Sequence, residues 1–181
     1  MFLSICISLF YMLYFKKDLD LFGGLALAGH ENLKTIKEAV EKNGIYSGLT
    51  SGTSMEPLIH NQKDTIIVVR PQGRLKKYDI PVYISESGKY IMHRVVKVCS
   101  DHYVIVGDNL LTKEYVTDDR IIGVLRGFYK NGKKYIDLEN NRFYKLYSRI
   151  WVAFLPLRPL YCYLKRAFNK IKRMLKRGRN G

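Results

Sequence analysis

Apolar and polar residues follow three regimes along this 181-residue chain. Residues 1–15 (MFLSICISLFYMLYF) are apolar almost without a break and stop at Lys16-Lys17. From His30 to Lys42, Leu33, Ile36, Ala39 and Val40 recur at helical spacing among Glu31, Lys34, Lys37, Glu38 and Glu41. That spacing predicts a short amphipathic helix, closed by Asn43-Gly44, where glycine suits a left-handed cap. The pattern then shortens into runs rich in β-branched and aromatic residues: IYSGLT (45–50), DTIIVVR (64–70), DIPVYIS (79–85), KYIMHRVVKV (89–98), HYVIVG (102–107), RIIGVLRGFY (120–129) and KKYIDL (133–138). Turn chemistry such as PQGR, ESGK and NGKK divides them, so these runs predict the strands of a compact, mainly β domain.

After residue 139 the period becomes helical again. Arg142 to Leu155 predicts one helix, Pro156 interrupts it, and Pro159 suits the first turn of a second. In that second segment Tyr161, Leu164, Phe168, Ile171 and Leu175 form one apolar stripe with basic residues around the rest, the pattern of an interfacial helix. The expected organisation is therefore an apolar N-terminal segment (1–29), a β domain opened by a short helix (30–139) and a basic amphipathic helical tail (140–181).

Charge sharpens this division. The formal net charge is +15, which by itself points to nucleic acid or an anionic membrane. Residues 1–139 hold 19 basic and all 16 acidic residues, a net of only +3, whereas the segment after Glu139 holds 12 Lys or Arg and no acid. The excess belongs to the tail, and its stripe favours a membrane surface over nucleic acid. Residues 1–15 make a helix of roughly 22 Å, short of the ~30 Å hydrocarbon core, so a membrane anchor and a docking helix both remain open, as does the side of the membrane. Cys6, Cys99 and Cys162 are odd in number and widely spaced, and no His or Cys pattern has metal-ligand spacing, so neither a metal nor another cofactor is expected.

The candidate chemistry lies in SGTSMEPLI (51–59). Small neighbours around Ser54 allow a substrate backbone to approach its hydroxyl, a main-chain N–H can face a developing oxyanion, and Pro57 stiffens the exit of the turn. A serine hydroxyl needs a base: His93 follows in YIMHRVVKV and Asp108 in VGDNL, supplying an imidazole and a carboxylate that could orient it.

The combination GxSMxP, HRV and GDN resembles the type I signal peptidase family, in particular its histidine-containing branch typified by endoplasmic-reticulum and archaeal enzymes. The resemblance covers about Gly44 to Gly127. It implies the mostly β signal-peptidase fold and a serine endopeptidase acting on signal or leader peptides at or near a membrane. Ser54 would be the nucleophile, His93 the general base and Asp108 the residue orienting His93, with Gly52, Thr53 and Met55 forming the oxyanion and substrate-binding wall. Eukaryotic members carry an aspartate pair shortly after the GDN aspartate; here the register gives Lys113 and Glu114, which makes Glu114 the alternative acid, while Asp118-Asp119 reads as a turn into the next strand. Gly52 stands where some bacterial members have an oxyanion-hole serine, leaving more of that task to the Ser54 N–H. The implied partners are a leader peptide and an anionic membrane surface. The contrasting reading is a non-catalytic protein that binds membrane or nucleic acid through its basic tail.

Overall fold

The computed structural model of the protein describes residues 36–160. Contacts divide the chain into Met1–Leu33 and Lys34–Gly181, and every described residue belongs to the second unit. The expectations for residues 1–29 and for the stripe from Tyr161 to Leu175 fall outside the described residues.

The expected mainly β architecture is present. Helix α1 (Ile36–Asn43) buries Ala39 and Val40, and Gly44, at φ +76°, closes it with its N–H on the Val40 carbonyl. Strands β1 (Ile45–Leu49), β2 (Thr65–Val69), β3 (Pro81–Ile84), β4 (Tyr90–Met92), β8 (Ile121–Lys130) and β9 (Lys134–Asp137) form one curled antiparallel sheet in the order β1-β2-β8-β3-β4, with β9 also on β8. A second antiparallel sheet contains β5 (Arg94–Val98), β6 (Tyr103–Val106) and β7 (Lys113–Val116). Leu75, Tyr83, Val95, Tyr103, Ile105 and Val116 pack together as a buried core spanning both sheets.

Two departures from the sequence reading position the site. The run KYIMHRVVKV is two strands: Met92 pairs with Val82 in the first sheet, Arg94 with Val106 in the second, and His93 alone makes the crossing. The segment KEYV, which has little β-branched character, is strand β7, recruited by pairing with β6. In that register Glu114 lies opposite Ile105 and Val116 opposite Tyr103, so alternation turns Glu114 and Val116 inward and leaves Lys113 and Tyr115 exposed.

Packing continues across the expected boundary at residue 139/140. Asn141 accepts the N–H groups of Phe143 and Tyr144 as the N-cap of α2 (Arg142–Ala153). That helix buries Tyr144 and Ser148, and both hydroxyls accept hydrogen bonds from the Arg94 side chain at 2.8 Å. A 3-10 turn over Leu155–Leu157 contains Pro156, and the chain is helical again from Arg158 to Leu160. The first part of the predicted tail is thus built into the β domain. Among the described residues no helix is long and apolar enough to cross a membrane.

Candidate active site

Ser54 sits in the loop joining β1 to β2. Buried Asp64 ties its base together by accepting the N–H of His60 and, from the β8–β9 turn, the N–H of Asn131, each at 2.8 Å. Thr50 Oγ1 donates to the His60 carbonyl at 3.1 Å, closing the loop across its neck. Within it, Glu56 N–H bonds the Thr53 carbonyl and Ile59 N–H the Met55 carbonyl, a tight turn anchored by buried Met55, Leu58 and Ile59. Gly52 adopts φ +97°, a backbone state that strains any side-chain-bearing residue.

Ser54 and His93 line one cavity of about 420 Å³. Its walls include Tyr46 and Leu49 of β1 and Tyr90 and Met92 of β4, the two outer strands of the curled sheet. Gly107 lies beside both residues: a Cβ there would come within 2.9 Å of the Ser54 carbonyl oxygen and 3.1 Å of His93 Cδ2. Ser54 Oγ makes no hydrogen bond to His93 in this structure.

Behind the histidine stand Glu114 and Tyr83. His93 Nδ1 is 2.9 Å from Glu114 Oε1 and 3.1 Å from the Tyr83 hydroxyl, which itself donates to Glu114 Oε2 at 2.9 Å. A carboxylate facing Nδ1 calls for a proton there, so the hydrogen-bond pattern assigns the Nδ1–H tautomer and leaves Nε2 as the basic nitrogen. Burial pushes the His93 imidazole below its ordinary value, opposed mainly by the charge and hydrogen bond of Glu114 and, less, by the field of Asp108. Burial and the bond to Glu114 raise the Tyr83 phenol, which keeps it a proton donor.

Asp108 does not occupy the orienting position expected of it. It is buried and takes a two-point ion pair from Arg94, Nε to Oδ1 at 2.8 Å and Nη2 to Oδ2 at 2.6 Å. Arg94, one residue beyond the crossing at His93, lies in the buried space beneath α2, and its charge there demands the nearest carboxylate. Burial opposes the Arg94 charge, but Asp108 and the tyrosines outweigh it and hold the guanidinium protonated. Of the two acids weighed from sequence, Glu114 contacts His93 and Asp108 locks Arg94.

The oxyanion group is also redrawn. The Gly52 N–H is committed to Asn61 Oδ1 at 3.0 Å, whereas the Ser54 N–H has no protein acceptor among the described residues. Met55 contributes to the cavity wall, and Thr53 is exposed with its carbonyl bound by Asn109 Nδ2 at 3.1 Å. Asn109 N–H also holds the Ser54 carbonyl at 2.8 Å, so the GDN loop clasps the serine loop through its asparagine. Tyr83, Arg94 and Asn109 escaped the sequence reading. A charged residue inside an apolar run was the signal for Arg94; nothing local marked Tyr83.

Among the described residues no group of three or more His, Cys, Asp or Glu side chains is placed to hold a metal ion. No protein-family model matches the chain, and neither does any curated protein.

Proposed function

We propose that this protein is a serine endopeptidase of the signal-peptidase type, with Ser54 as nucleophile, His93 as general base and Glu114 as the carboxylate that orients it. One observation carries this reading: a buried histidine whose Nδ1 is taken up by a carboxylate shares a cavity wall with a serine held at the start of a tight turn. In the reaction Ser54 Oγ attacks the peptide carbonyl while His93 Nε2 accepts its proton. Glu114 stabilises the imidazolium, and the Ser54 N–H donates to the oxyanion. His93 then protonates the leaving amine, and water, deprotonated by the same nitrogen, hydrolyses the acyl ester on Ser54. The position of the cavity between β1 and β4 suits an extended peptide, because both strands carry backbone groups able to pair with it. The substrate class is a leader or signal peptide cleaved at a membrane surface.

The test is covalent labelling with a fluorophosphonate, alongside cleavage of a leader peptide. Wild type should be labelled and active, Ser54→Ala unlabelled, and His93→Ala slowed at least a hundredfold in both assays. Equal labelling of Ser54→Ala, or cleavage within tenfold of wild type in either variant, overturns the proposal.

A further inference from the structure

A helix packed on a globular body normally turns apolar residues inward and polar ones outward. Helix α2 does something different. Its inward side carries Tyr144 and Ser148 on the Arg94 guanidinium, while Leu146 and Ile150, one turn apart, are 45% and 51% exposed. At and past the 3-10 turn, Leu157 at 53% and Leu160 at 58% are exposed aliphatics as well. Beside it on α2 stand exposed Arg142, Lys145 and Arg149, and no Asp or Glu follows Glu139 in the chain.

We infer that the outward side of α2, continued through Leu157 and Leu160, is a docking surface for an anionic lipid bilayer. The charge pattern selects this occupant. A second copy of the same face would set Arg142, Lys145 and Arg149 against their equivalents with no acid on the face to pair them. Nucleic acid would satisfy the three cations and leave four aliphatic side chains against phosphate and water. Anionic headgroups over an acyl region satisfy both at once: the aliphatic side chains enter the interface while guanidinium and ammonium groups stay at the headgroups.

The surface is mechanically tied to the candidate site. Trp151 Nε1 and Arg158 Nη1 each donate to the Asp108 carbonyl at 3.1 Å, and the next residue, Asn109, clasps the Ser54 carbonyl. A bilayer held on one side of α2 is therefore two hydrogen-bonded steps from the serine loop. The inference deepens the membrane half of the proposed function and does not depend on its catalytic half, which the Ser54 labelling reports separately.

The experiment is co-sedimentation of the full chain with vesicles of phosphatidylcholine alone and of phosphatidylcholine containing phosphatidylglycerol. Wild type should bind the mixed vesicles and lose most of that binding in high salt. Ile150→Asp with Leu157→Asp should weaken binding at least tenfold, and Lys145→Glu with Arg149→Glu comparably, with residues 161–181 still present. Tyr115→Asp, an equally exposed site on β7, should bind as wild type. Thermal melts within a few degrees of wild type certify the fold of each variant, and Leu146→Gln, a milder change, replaces any that fails. Unchanged vesicle binding in both pairs overturns the inference. So does a dimer abolished by Ile150→Asp, or RNA binding, in place of vesicle binding, that these substitutions remove.

Discussion

Asp108 pairs with Arg94 and Glu114 faces His93, and two isosteric substitutions separate their effects. The side chains of Asp108 and Arg94 are each only 1% exposed and are joined by bonds of 2.8 and 2.6 Å. Asp108→Asn keeps the shape but removes the charge, leaving a buried guanidinium with only tyrosine, serine and carbonyl partners. Breaking a buried pair from one side costs about 3–5 kcal/mol. Against a typical domain stability of roughly 5–15 kcal/mol, that loss brings the protein close to unfolding. Glu114 is 31% exposed, and its pairing with His93 is partly solvated, so Glu114→Gln should change stability by less than about 1 kcal/mol. Its effect is on chemistry: losing the carboxylate that sets the tautomer and stabilises the imidazolium should lower kcat by about 10²–10⁴, the range of comparable changes in serine hydrolases. Urea unfolding followed by Trp151 fluorescence measures the first effect where it arises, because this sole tryptophan stacks on Tyr147 of α2 and donates to the Asp108 carbonyl. Peptide cleavage measures the second. Replacing both members of the pair, Arg94→Met with Asp108→Leu, should restore part of what Asp108→Asn alone loses, since no unpaired charge remains. If Asp108→Asn proves as stable as wild type yet loses more activity than Glu114→Gln, the assignment of the two acids is wrong.

Further outcomes follow from the same geometry. In the proposed mechanism His93 acts in its neutral form, and burial lowers its pKa, so kcat/KM should rise with pH to a midpoint below 6.5 and then level; in Glu114→Gln, without the charge that pulls the pKa up, the midpoint should fall further, and an upward move contradicts the pairing. The linkage has the same sign for stability: the unfolded histidine binds protons more readily, so its contribution is complete above pH 6.5 and is lost as pH falls toward the folded value. Tyr83→Phe removes the hydrogen bond to Glu114 Oε2 but keeps the ring, and should cost about tenfold in kcat with little change in KM, measured by steady-state cleavage. Gly107→Ala sets a methyl group 2.9 Å from the Ser54 carbonyl, a backbone atom that cannot swing away; labelling of Ser54 should slow more than tenfold while stability falls by about 1–3 kcal/mol, and wild-type labelling contradicts the described packing of the two loops.

The sequence pattern makes most strands legible because their alternation is carried by β-branched and aromatic side chains: TIIVV, PVYI and YVIV all fall within predicted runs. It fails where pairing overrides propensity. KEYV becomes a strand because β6 offers a complete edge, and its pattern is visible only once one accepts a glutamate as an inward residue. The crossing at His93 is equally silent, since a single residue between strands of different sheets leaves the run YIMHRVVKV unbroken in composition. Ser54 and His93 are legible as candidates only jointly, because the combination GxSMxP, HRV and GDN is specific where each residue alone reads as an ordinary turn or strand residue. The distinction between Asp108 and Glu114 was not, because both lie near the end of a strand within reach of the same region, and only the destination of Arg94 separates them.

Arg94 and Arg158 tie the start of the basic segment to the β domain. Counting charge from residue 140 onward treats all twelve Lys and Arg as one surface, and three of them, Arg142, Lys145 and Arg149, do lie exposed on α2. Arg158 does not: it is 7% exposed, donates to the carbonyls of Gly107, Asp108 and Leu110, and lies over the Trp151 ring at 4.6 Å. Charge that counts toward a surface in composition serves here to gather carbonyl oxygens around the loop that clasps Ser54. Two buried arginines, one from β5 and one beyond α2, thus fix residue 108 from its side chain and from its backbone. Removing the segment after residue 139 as a dispensable tail would take away the Tyr144 and Ser148 partners of Arg94 and the Arg158 brace together. Such a truncation should cost folding stability first and activity as a consequence, whereas a cut after Leu160 keeps all these contacts and should leave Ser54 as reactive toward the fluorophosphonate as in the full chain.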